Sequence, residues 1–313
     1  MNRVQQHLGT QYPIVQSPMS WIARSPLASA VSEAGGMGII ESGSGESEQI
    51  AAEIVKMREL TDKPFGVNLA LLFMRDESML DNVIEAEVKF VTTSAGSPRK
   101  YIDRLKEHDI IVYHAVPTAE FALKAADAGV DGLIVEGAEG GGFKNPEEVA
   151  LPVLLQMIRD VCDLPMIAAG GIVDGRGMAA AFAAGAEGIQ MGTRFVSSVE
   201  SPVHDNFKNA IINSSETGTI YLNRKGSPGL RALKTEHSLA MAKSEESDRA
   251  VLFGGGAKDL YFGGDMESSI ALSGQGAGMI TSIKTVKDII DDTVSEYFEI
   301  CADLGARAQA RRF

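Results

Sequence analysis

A closed (β/α)8 barrel, an α/β fold with a helical insertion (a lid) after its eighth strand, is predicted by three features of the chain. Eight short apolar runs of strand length recur between residues 13 and 195. Segments with helical spacing alternate with them, and the runs are continuously apolar, as befits a parallel sheet covered on both faces. Eight such units close a barrel. The rival is an open doubly wound sheet, but its nucleotide fingerprints are missing. Gly43-Ser44-Gly45 is followed by Glu46-Ser47-Glu48, without the third glycine of G-x-G-x-x-G, and Gly254-Gly255-Gly256-Ala257-Lys258 is not a Walker loop.

The strands are expected at Pro13 to Met19, Gly36 to Glu41, Pro64 to Leu71, Phe90 to Ala95, Ile111 to Pro117, Gly132 to Glu136, Pro165 to Ala169 and Gly188 to Phe195. Glu48 to Leu60, Pro98 to Glu107 and Ala119 to Ala128 are polar on one side and read as helices. Another helix should start near Gly175 and close at Gly185. Beyond Phe195 the pattern stops. Ser197 to Ser273 is more polar, with SSETGT, KSEESD and glycine clusters around Phe253 and Phe262. Residues 1–196 and 274–313 therefore form the barrel, and 197–273 an inserted subdomain. Lying beyond the last strand, it is placed either as a lid offering Tyr221, Tyr261 or Phe262 to a substrate or as a peripheral cap. An amphipathic helix near Val286 to Leu304 and the tail RAQARRF finish the chain.

With 44% hydrophobic and 23% charged residues the chain can bury a large core, and its formal net charge of −13 argues against a nucleic-acid partner. The N-terminus lacks the apolar core of a signal peptide, and no run reaches membrane-spanning length, so a cytoplasmic protein without a membrane partner is expected. Cys162 and Cys301 have no metal-ligand spacing, and neither do His7, His108, His204 and His237, so no metal site is expected.

The segment PMIAAGGIVDGRGMAAAFAAGAEGIQMGTRF, Pro165 to Phe195, carries the strongest chemical signal. Gly170-Gly171 and Gly192-Thr193 end two consecutive strands, where small residues let backbone N–H groups approach an anion and a following helix N-terminus adds its dipole. Paired turns of this kind suit a phosphate monoester. The other strand ends offer Pro18-Met19, Asn68, Thr92-Thr93, His114 and Glu136 to Phe143, with few ionisable groups and no evident nucleophile with its base. A flat cofactor with a phosphate tail, flavin mononucleotide (FMN), fits this set. His114 could donate to a flavin carbonyl or transfer a proton, or be a hydrogen-bonded core histidine. Asn68 could meet a flavin edge or cap a turn. Glu136 and Glu139 are read as orienting their loop.

Nearly the whole chain resembles the nitronate monooxygenase family, once called 2-nitropropane dioxygenases, and the related FMN-dependent enoyl-acyl-carrier-protein reductases. The resemblance rests on QSPMSWIA, AGGMGII, LTDKPFGVNL, VTTSAGSP, EGAEGGG, IAAGGIVDGRG, QMGTRF and GQGAG. It implies non-covalent FMN. Pro18 and Met19 would lie against the isoalloxazine, Asn68 and His114 would reach its polar edge, and Gly141 would line the ring. Ala169, Gly170, Gly171, Met191, Gly192 and Thr193 would hold the phosphate end, Gln275 would close over the flavin, and Arg194 would be a structural ion-pair partner. One position departs from the pattern: the family's loop reads Gly-His, in the enoyl reductases too, where this chain has Gly142-Phe143. Phenylalanine cannot exchange a proton, so Phe143 leaves the family's acid/base step without its residue.

The leading expectation is oxidation of a small alkyl nitronate by O2, since a nitronate is already anionic and needs no base. The alternatives are an NAD(P)H-dependent reductase of an enoyl thioester or quinone, a catalytically silent flavin or phosphate binder, and a non-flavin barrel for a phosphorylated substrate. A small-molecule substrate is common to the enzymatic readings, and a homodimer is compatible with them.

Overall fold

A computed structural model describes residues 2–74, 76–223, 229–243 and 255–310. The strands in chain order are β1 (Ile14–Gln16), β2 (Gly38–Ile40), β3 (Phe65–Ala70), β4 (Phe90–Ser94), β5 (Ile111–Val116), β6 (Gly132–Glu136), β7 (Gly142–Lys144), β8 (Met166–Ala169), β9 (Gly188–Met191), β10 (Thr219–Leu222) and β11 (Gly229–Leu233). Eight of them form one parallel sheet in the order β1-β9-β8-β6-β5-β4-β3-β2. The ring closes between its edge strands, where Met37 N donates to Ile14 O at 2.8 Å and Gln16 N to Met37 O at 3.0 Å. All eight expected strands are present. The eighth ends at Met191, and Thr193–Val196 is a single helical turn.

Side chains alternate between two apolar layers, as strand geometry requires. Val15, Ile39, Phe90, Tyr113, Ile134 and Ile167 fill the barrel, and Val4 and Leu8 of the helix Arg3–Leu8 join them. Ile14, Ile40, Val67, Val91, Val112, Leu133, Ala168 and Ile189 face outward into the larger layer beneath the helices. Gly132 makes room for that filling, because a Cβ there would lie 2.3 Å from the Tyr113 ring.

The helices carry their own start signals. The Thr118 hydroxyl accepts from Phe121 N ahead of Ala119–Asp127, and Thr285 accepts from Asp288 N ahead of Val286–Gln309. The latter helix packs on Gly175–Ala183, where a Cβ on Gly175 would lie 2.4 Å from Tyr297 N.

After β9 the chain makes the helices Asp205–Ile212, Glu236–Lys243 and Ala257–Tyr261, but also β10 and β11. The insertion is thus mixed, and its strands pair antiparallel in the order β10-β11-β7, with Leu230 opposite Phe143. Arg231 and Tyr221 of this sheet fasten the segment after β6. Arg231 donates to Ala138 O at 2.7 Å and to Glu148 at 2.8 Å, and Tyr221 donates to Asn145 O at 2.5 Å. Phe253, its glycine neighbour Gly254 and residues 244–248 of KSEESD lie outside the described residues, as does the tail from 311 to 313.

Candidate functional site

The carboxyl ends of the barrel strands open into a cavity of about 680 Å³. The structure brings Pro18, Met19, Asn68, His114, Gly141, Phe143, Ala169, Gly170, Gly171, Gly192 and Thr193 together in its wall. Tyr261 of the insertion also lines it. Tyr221 is buried against Asn145 outside the wall, and Phe262 is solvent-exposed.

The two glycine turns are built for a close backbone approach. Gly170 and Gly171 have φ of +116° and +69°, a region that disfavours residues with a Cβ. Among the described residues, the N–H groups of Gly171 and Gly192 meet no backbone or side-chain acceptor. Both glycines are half-buried in the cavity wall, so these donors are open to an external acceptor there. Of the helices that follow the two turns, Thr193–Val196 starts directly at Gly192, while the first donors of Gly175–Ala183 are capped by side chains. Asp174 caps the helix Gly175–Ala183 by accepting from Gly177 N at 2.9 Å, and Glu296 accepts from Gly175 N at 2.8 Å. Its Gly175 and Gly177 N–H groups are therefore already engaged.

Two expected contacts are corrected by geometry. Met191 lies in the outer layer, since alternation along β9 sends Ile189 and Met191 toward the helices and Gln190 into the cavity. Gln275 has an exposed side chain; its backbone N donates to Glu139 O at 2.8 Å, and Gly274 and Gly276 line the wall instead. Arg194 is likewise no ion-pair partner among the described residues. Its guanidinium donates to Ser282 O at 3.0 Å, and burial lowers its pKa.

Across the barrel, Thr92 Oγ1 donates to Asn68 Oδ1 at 3.1 Å, and Ser94 Oγ lies 3.2 Å from the same oxygen. The amide is thus oriented from its own sheet. His114 is buried beside Thr93, and burial drives its pKa from 6.5 down to about 4, with a hydrogen bond to the Thr93 backbone pulling weakly the other way. At neutral pH it is an uncharged imidazole, able to donate or accept a hydrogen bond. Phe143 stands 5.8 Å from Phe73, ring centre to ring centre.

The loop carrying Pro18 and Met19 is held under strain. Trp21 has a φ of +63°, unusual for a bulky residue, and its N–H donates to Glu41 at 3.1 Å. Glu41 is fully buried and pairs with Arg24 at 2.8 Å. Glu139 does orient its loop, by accepting from Leu151 N at 3.0 and 3.1 Å. Glu136 pairs with Lys144 inside the cavity wall.

Gln190, Lys144 and Glu41 escaped the sequence reading. Gln190 Oε1 is buried in the cavity wall without a hydrogen-bond partner. A glutamine inside an apolar strand was the available signal for it, as Glu41 at the end of GIIE was for the buried ion pair. Among the described residues no cluster of three or more His, Cys, Asp or Glu could hold a metal ion, and no helix is long and apolar enough to cross a membrane.

The nitronate monooxygenase family model matches residues 2–82 and 70–296. Over 96% of both chains the sequence is 32% identical to the (3aS,4S,5R,7aS)-5-hydroxy-7a-methyl-1-oxo-octahydro-1H-indene-4-carboxyl-CoA dehydrogenase of Rhodococcus jostii. The solved structure of FabK from Thermotoga maritima superposes with a TM-score of 0.93 and 40% identity, covering 98% of this chain and 99% of that one. The nitroalkane oxidase of Streptomyces ansochromogenes gives a TM-score of 0.84 and 25% identity, over 96% and 100%. Fold and relatives agree: the chain belongs to the nitronate monooxygenase family and is an oxidoreductase of the flavin type.

Proposed function

We propose that the chain binds FMN and exchanges hydride with an acyl thioester. Bound FMN supplies a group that accepts or releases two electrons as hydride. The turns at Ala169 to Gly171 and Gly192-Thr193 would hold its phosphate with backbone N–H groups, and the unpaired oxygen of Gln190 would gain a donor. Pro18 and Met19 pack the ring, and Asn68 and the neutral His114 present hydrogen bonds to its polar edge. Residues 1–196 and 274–313 form the cofactor-holding barrel, and 197–273 covers the substrate side with Tyr261.

The observation that weighs against a neutral nitroalkane is Phe143. It puts an apolar ring where the family has a histidine, which excludes water and removes the base that would ionise a neutral nitroalkane. The enoyl reductases carry the histidine too, so the thioester itself rests on the relatives. The whole-length relatives support the thioester: FabK and a carboxyl-CoA dehydrogenase are 40% and 32% identical, against 25% for the nitroalkane oxidase. NAD(P)H is the co-substrate of this reading. It is tested by anaerobic bleaching of the bound flavin with NADH or NADPH, followed by reoxidation with an enoyl-CoA. A yellow protein that neither nucleotide bleaches and no enoyl-CoA reoxidises would sink it, as would a colourless protein that rejects FMN.

Oxidation of an alkyl nitronate by O2 is the second reading, favoured by the family match and by a pocket in which an already anionic substrate needs no base. Oxygen uptake with alkyl nitronates, and none with neutral nitroalkanes, is its signature.

A further inference from the structure

Lys144 is a buried cation that the site as described leaves without a task. Its side chain is 4% exposed, it lines the cavity, and among the described residues its ammonium meets one acceptor, the Glu136 carboxylate. The space is prepared for this pair. A Cβ on Gly140 would lie 2.8 Å from Lys144 Nζ and 3.0 Å from Glu136 Oε1, so a side chain at 140 would collide with both. The strand around it is fixed from the insertion, with Lys144 opposite Gly229 and Phe143 opposite Leu230.

An ammonium carries three donors, and burying it with one of them matched is costly unless a ligand supplies the rest. The other lysine in the wall, Lys124, is exposed and paired with Glu120. With His114 neutral and Phe143 apolar, Lys144 is the buried positive charge available to an anionic oxygen in this cavity. The glycine turns answer a phosphate with their own N–H groups, which leaves Lys144 for the other ligand.

Resting on the thioester reading, the geometry points to Lys144 as an oxyanion-holding residue: its ammonium, oriented by Glu136, donates to the carbonyl oxygen of the bound thioester and stabilises the enolate. The enolate forms in solution, where the α C–H bond breaks and the proton passes to buffer base, and the anion then binds with its electron pair on the oxygen facing Nζ. Nothing is oxidised or reduced in this step. A strong hydrogen bond to developing charge in a dry pocket is the kind of contact that favours such a species.

The test uses the FMN-loaded protein and acetoacetyl-CoA, an enolisable thioester whose enolate has its own near-ultraviolet band. Difference spectra across pH should show the enolate forming about one to two pH units lower on the wild-type protein than in solution. Lys144→Met should remove that shift and Lys144→Arg should keep most of it, with FMN affinity unchanged in both. Should Lys144→Met fold poorly with Glu136 left unpaired, the double variant Lys144→Met/Glu136→Gln removes both charges and must lose the shift too. A shift that survives these substitutions overturns the assignment, and so does a loss of FMN affinity with thioester binding intact. Wild-type protein that takes up FMN but not acetoacetyl-CoA would instead overturn the thioester reading, and the assignment with it.

Discussion

His114 Nδ1 lies 2.7 Å from Thr93 Oγ1, joining neighbouring strands β5 and β4 at the floor of the cavity. The contact fixes the imidazole, and burial keeps it neutral. Its pKa of about 4 in the folded protein lies below the ordinary 6.5, so between those values the unfolded chain binds the proton and the folded one does not. Stability from this residue is complete above pH 6.5 and falls as pH drops toward 4, by about 3 kcal/mol in all. His114→Gln should flatten that part of the pH–stability curve in denaturant melts. An unchanged slope would show that the histidine titrates normally.

Gly170→Ala places a Cβ at a φ of +116° and 3.2 Å from Gly140 N. The expected result is a loss of about 1 kcal/mol in stability and a marked loss of bound FMN on gel filtration. Retention of flavin at the wild-type level would mean that the phosphate rests elsewhere.

Gln190→Leu should split two measurements. Removing the unpaired oxygen relieves the apoprotein, which should melt no lower than wild type. The Kd for FMN should rise about ten-fold, equivalent to about 1.4 kcal/mol. A lower apoprotein melting point with unchanged FMN affinity would assign Gln190 to structure alone.

Phe143→His restores a proton-exchanging ring beside Phe73. Oxygen uptake with neutral nitroalkanes should appear in the variant, at a cost of about 1 kcal/mol from the altered ring contact. No gain of turnover with fully loaded flavin would refute the role given to this position.

Arg231→Met leaves Ala138 O and Glu148 without their guanidinium donor. About 2 kcal/mol of stability should be lost. Limited proteolysis should cut first between residues 138 and 150, and cleavage spread evenly along the chain would count against the clamp.

Much of this architecture was legible because each barrel strand is a continuous apolar run, and glycines mark both turns of the cavity wall. What was not legible depends on distant partners. The helix Arg3–Leu8 is too short for a periodic signal, yet Val4 and Leu8 join the barrel's interior layer. Thr219-Ile220-Tyr221-Leu222 has strand-forming side chains, but its sheet exists only because β11 pairs with β7, some 85 residues earlier. Met191 was misplaced by reading a motif as a block, where strand alternation turns every second residue away. Lys144 was hidden because its pairing with Glu136 requires the chain to double back within eight residues.

Strand β7 belongs to the barrel by sequence and to the insertion by hydrogen bonding. The cavity wall is therefore built partly by residues of 197–273, with Tyr261, Leu272 and Ser273 in it, while Gly170 and Gly171 bond to none of that stretch among the described residues. Exchanging that stretch among relatives should change which compounds are admitted and leave the Gly170-Gly171 turn as it is, a removable faceplate on a constant socket.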